Sequence, residues 1–81
     1  PNSKQNLENN INSIESLISD RLLVCHENGY SIYNTSKLIS EKTVSNSLLL
    51  TVNSQEAIFS KALGKNLSII GFEDSKLIII D

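Results

Sequence analysis

The pair Asn28-Gly29 stands between two runs rich in strand-forming residues, Arg21-Leu22-Leu23-Val24-Cys25-His26 and Tyr30-Ser31-Ile32-Tyr33-Asn34. A tight hairpin turn needs residues that tolerate positive φ, and Asn-Gly between two such runs is a strong short-range signal for one. The first half of the chain is therefore committed to a β-hairpin, and the rest has to be compatible with it. In the first strand Leu23 and Cys25 fall on one face and Leu22 and Val24 on the other, which predicts burial on both faces. The second strand mixes Ser31 and Asn34 with Ile32 and two tyrosines, a composition that suits a sheet edge.

On either side of this hairpin the apolar spacing reads as helical. Leu7, Ile11, Ile14 and Ile18 predict an amphipathic helix over about Lys4 to Ser19, after a frayed start at Pro1 to Ser3. Thr35 to Ile39 read as a connection, with Ser40 as the N-cap of a long helix that begins at Glu41. Its stripe is Val44, Leu48, Thr51, Gln55, Phe59 and Ala62, and Gly64 supplies a stop after Leu63. Leu50 and Ala57 lie off that stripe beside Ser47 and Ser54, a flank that a second helix could approach closely. A second hairpin follows, Leu67 to Glu73 and Lys76 to Asp81 around Asp74-Ser75, and its last strand is apolar on both faces. The expected fold class is α+β, in the order α-β-β-α-β-β, with one helix on each face of an antiparallel-rich sheet and a single domain over 1–81. The apolar last strand predicts an edge in need of protection, by further residues, a partner strand or a dimer.

At 81 residues such a domain has a core worth only a few kcal/mol of net stability, so self-association is a natural prior. The net charge of −2 and pI of about 5.3 lack the basic footprint of a nucleic-acid binder. Cys25 is the single cysteine, which excludes an intrachain disulfide and Cys-rich zinc motifs and favours a reducing, cytoplasmic setting. There is no apolar run near the roughly 20 residues that span a bilayer, and no signal-peptide pattern. Cys25 and His26 are adjacent, so in a strand they point to opposite faces and do not form a nucleophile–base pair. Cys25 reads as a buried structural residue and His26 as a solvent-facing or capping residue near the turn. Glu27, Glu41, Glu56, Glu73 and Asp74 are dispersed, and Gly29, Gly64 and Gly71 form no phosphate-cradling loop. The expectation is a non-enzymatic protein with no cofactor and no metal site.

The leading helix, the hairpin segment Leu22 to Ile32, the long helix and the segment Leu67 to Ile80 together resemble the Roadblock/LC7 family, of profilin-like or longin-like layout, in a short form lacking the C-terminal strand and helix. The resemblance covers almost the whole chain. It implies a dimerisation and scaffolding module associated with small Ras-like GTPases or their regulatory complexes, in signalling or trafficking, paired as a homodimer or as a heterodimer with a related domain. It places Leu67, Ile69, Ile70 and Phe72 at a strand seam between subunits, and Leu50, Ser54 and Ala57 along a helix seam. The alternative is a structural assembly subunit or small-ligand sensory domain of the same layout without a GTPase partner.

Overall fold

Residues 48–63, which the spacing assigns to a long helix, form two strands instead. The computed structural model describes residues 10–64 and 67–80. In chain order its elements are β1 (Ile11–Leu17), β2 (Arg21–His26), β3 (Gly29–Asn34), α1 (Thr35–Glu41), α2 (Val44–Ser47), β4 (Leu48–Asn53), β5 (Ala57–Leu63), β6 (Leu67–Phe72) and β7 (Leu77–Ile80). The α+β layout with a helix on each sheet face is therefore overturned. The described chain is mostly strand, in two antiparallel sheets ordered β1-β2-β3-β4 and β5-β6-β7.

Local chemistry explains both corrections. Leu48-Leu49-Leu50-Thr51-Val52 and Ile58-Phe59 are rich in bulky apolar, β-branched and aromatic residues, and Asn53-Ser54-Gln55 between them is a turn former rather than a helix interior. The first segment carries Asn12, Ser13 and Ser16, which compete for backbone hydrogen bonds and weaken a helix. Residues 11–17 instead pair with β2, which would otherwise be left with an open edge. The part of the expected leading helix before residue 10 lies outside the described residues.

The hairpin signal is met with a changed turn. Glu27 and Asn28 form the turn, His26 pairs with Gly29, and the positive φ falls on Gly29 at +129°. A β-carbon there would collide with the backbone carbonyl of Val52, so only glycine fits. β3 is not an edge, since it lies between β2 and β4. Ser40 is not an N-cap either. The Asn34 side chain accepts the Lys37 amide at 3.0 Å and opens α1, and Lys42 in the left-handed region closes it.

The core lies between the two sheets. Leu23, Cys25 and Tyr30 from the first meet Ala57 and Ile70 from the second, with Leu17, Ile32, Val52, Phe72, Ile78 and Ile80 packed around them. The rings of Tyr30 and Phe72 meet edge-on, their centroids 6.5 Å apart. Polar side chains join the first strands of the two sheets. Asn12 Nδ2 donates to Ala57 O and Glu56 Oε2, each at 2.8 Å, and the Ser13 and Ser60 hydroxyls lie 3.1 Å apart.

Candidate interaction surface

Strand alternation divides β6 and β7 between two faces. Ser68 and Ile70 are buried and Phe72, Ile78 and Ile80 half-buried, on the face that meets the first sheet. Leu67, Ile69, Gly71, Leu77 and Ile79 alternate with them and point away. Cross-strand pairing adds Phe59 opposite Gly71, Lys61 opposite Ile69 and Leu63 opposite Leu67. Phe59, Leu63, Leu67, Leu77 and Ile79 are exposed, Leu77 by 59% and Ile79 by 63%. The result is one sheet face carrying large apolar side chains around a single lysine. Apolar patches of this kind, unlike scattered surface leucines, mark interaction sites.

The seam residues implied by the resemblance are separated in space. Leu67 and Ile69 belong to the outer face. Ile70 and Ala57 are fully buried in the core, and Phe72 packs on Tyr30. Leu50 is exposed on β4, the edge strand of the other sheet, opposite Ile32, and Ser54 follows that strand in a loop. A helix seam through Leu50, Ser54 and Ala57 has no helix to run along. The alternation itself signals Leu77 and Ile79, but the sequence pattern alone does not say which of their two faces is covered.

His26 anchors a polar network on the face of the first sheet that is turned away from the second. His26 is buried rather than solvent-facing. Its Nδ1 accepts the Asn28 amide at 3.2 Å, so Nε2 carries the proton and donates to Ser31 Oγ at 3.0 Å. The Ser31 hydroxyl in turn lies 3.2 Å from Thr51 Oγ1. An imidazole that donates to the serine does not withdraw its proton, so this arrangement holds strands together rather than activating a nucleophile. Burial holds the His26 pKa below its ordinary value, with the Glu27 charge opposing weakly. Burial likewise pushes the Cys25 thiol up, against hydrogen bonds from Ser13 and Ser60, which keeps it protonated and inert.

Clefts open between the sheets among the described residues. One, of about 670 Å³, lies at the end near the β1–β2 turn, lined by Leu17, Arg21, Ile32, Ala62, Ser68 and Ile80. Arg21 there donates to Ser19 O at 3.0 Å. Another, of about 400 Å³, includes Tyr30, Val52, Phe72 and Ile78. Among the described residues no group of three His, Cys, Asp or Glu side chains is placed to hold a metal ion, and no buried side-chain polar atom lacks a partner. Among them, too, no helix is long and apolar enough to cross a membrane.

No protein-family model matches the chain, and neither a curated protein nor a solved structure gives a significant match. Membership of the Roadblock/LC7 family has no support from these comparisons, and the layout on which that resemblance rests is not the one observed.

Proposed function

We propose that this chain is a non-catalytic protein-binding module whose working surface is the outer face of β5–β7. The observation that carries the reading is the set Phe59, Leu63, Leu67, Leu77 and Ile79, exposed together on one sheet face. Apolar area of this kind gains roughly 25 cal/mol per Å² when it is removed from water, and association entropy offsets much of that gain. Two such faces stacked on each other would bury on the order of 1,000 Å², near the lower limit for a specific interface. With nothing else present the chain should therefore self-associate weakly.

Light scattering across a concentration series tests this. The mass should rise from 9.0 kDa towards twice that value, and Ile79→Lys should hold it at the monomer. A native chain that stays monomeric at every concentration removes the reading. A small Ras-like GTPase, the partner implied by the Roadblock/LC7 resemblance, would have to use this same face. Its capture by the native chain and not by Ile79→Lys would identify it. The cleft beside Arg21 favours a second reading, a small-ligand domain, which predicts a rise in melting temperature with an added metabolite that is lost in Arg21→Ala.

A further inference from the structure

Both sheets carry the same irregularity at the same place. β1 and β2 pair Ile11 with His26 and then Ser13 with Cys25, skipping Asn12. β5 and β6 pair Ala57 with Phe72 and then Phe59 with Gly71, skipping Ile58. Every residue in the second set lies 46 positions after its counterpart, and the same offset relates Glu15 to Lys61, Leu17 to Leu63 and Leu23 to Ile69. Bulges are designed features of a strand rather than accidents, so their coincidence marks a repeated unit. The β6–β7 turn is one residue longer, and an offset of 47 then relates Tyr30 to Leu77 and Ile32 to Ile79. The period falls within the roughly 40 to 50 residues of repeats that build four-stranded sheets around an axis.

The repeat also relates the faces. Leu17, Leu23, Cys25, Tyr30 and Ile32 form the first sheet's inner face, and their counterparts are Leu63, Ile69, Gly71, Leu77 and Ile79 on the second sheet's outer face. Within this chain the first of these faces is covered by Ile70, Phe72, Ile78 and Ile80 of the next unit. The first strands of the two units are tied together through Asn12 and Ser13, as successive blades of a β-propeller are gathered at their first strands.

We propose that the outer face of β5–β7 is the docking surface for a third sheet of this same unit, stacked on the second as the second is stacked on the first. The inference rests on the reading of that face as a binding surface and names what binds there. A second copy of the chain does not supply that sheet. The corresponding surface of its first sheet is Leu22, Val24, His26, Ser31 and Tyr33, and all but Leu22 are already buried. The occupant is a further unit, with branched aliphatic residues on its two central strands and small residues on its first.

The test lengthens the full chain at Asp81 with a second copy of its own residues 35–81. By the 47-residue offset Asp81 corresponds to Asn34, so the added segment brings a fourth strand for the second sheet and then a complete β5–β7 set. Ile79→Cys is placed either in the original copy or in the added one, and thiol labelling is followed at monomeric concentration. The thiol in the original copy should react about 10-fold or more slowly than in the parent chain, and the thiol in the added copy at the parent rate. Unreactive Cys25 reports that the first two sheets are intact. Equal rates at the two positions, whether the added segment packs elsewhere or stays unfolded, overturn the proposal. If the parent's self-association is still lost in Ile79→Lys, that result removes the third sheet as occupant and leaves the binding surface standing.

Discussion

The Phe59 ring lies across Gly71, its cross-strand partner, in the space that a β-carbon at position 71 would fill. Glycine weakens a strand interior, and an aromatic neighbour laid over it restores the lost cover. At the corresponding place in the first sheet Ser13 faces Cys25, so the repeat keeps the pairing and redistributes its volume.

Alanine at the two strand glycines should separate side-chain from backbone obstruction. Gly71→Ala meets one edge of the Phe59 ring, a side chain that can swing outward, so a loss of about 1 kcal/mol is expected. Gly29→Ala meets the Val52 carbonyl and needs a φ of +129°, so about 3 kcal/mol is expected. Urea midpoints of the two variants check the order.

Residues on the two faces of β6 should respond oppositely to charge. Ile70→Lys buries an ammonium in the core and should abolish cooperative unfolding, whereas Leu67→Lys on the exposed face should change stability by less than about 0.5 kcal/mol. Leu23→Ala, in the same core as Ile70, should cost about 3 kcal/mol. Thermal melts followed by circular dichroism distinguish the three.

His26 gives the acid limb of stability a defined sign. Its folded pKa lies below the ordinary 6.5, so below that value the unfolded chain takes up a proton that the folded chain resists. The contribution is complete above about pH 6.5 and is lost as pH falls through the lower folded value. His26→Gln should flatten this part of a plot of melting temperature against pH.

Cys25 sets the alkaline side. Its folded pKa is raised above 9.0, so the contribution is complete below pH 9 and declines as pH rises through the folded value. Burial also predicts that thiol reagents modify Cys25 only as fast as the chain opens, with labelling that speeds up in sub-denaturing urea. Labelling at the rate of a free thiol in native buffer would contradict the buried position.

The two hairpins were legible because their signals are local. Asn28-Gly29 and Asp74-Ser75 sit between apolar runs short enough to be strands and too short to be helices. The doubly covered β2 was legible from Leu22 through Cys25 for the same reason. β4 and β5 were hidden because Leu48, Thr51, Gln55, Phe59 and Ala62 also satisfy helical spacing, and pairing with β3 and β6 decides between the two readings. The repeat was hidden by chemistry. Ser13 corresponds to Phe59, Glu15 to Lys61 and Cys25 to Gly71, so the unit is preserved in register and bulge position but hardly in residue type. The exposed face follows from which side of β7 the first sheet occupies, a tertiary fact that Leu77 to Ile80 do not encode locally.

The first strands of neighbouring sheets are held by the Asn12 amide and by two serine hydroxyls. A backbone ladder would fix their spacing within narrow limits, whereas the length of a side chain at positions 12, 13 and 60 sets how closely they approach. The curvature of any longer array of these units is then a matter of a few small residues on its inner rim. Exchanging Ser60 for something larger would open the wedge between the two sheets.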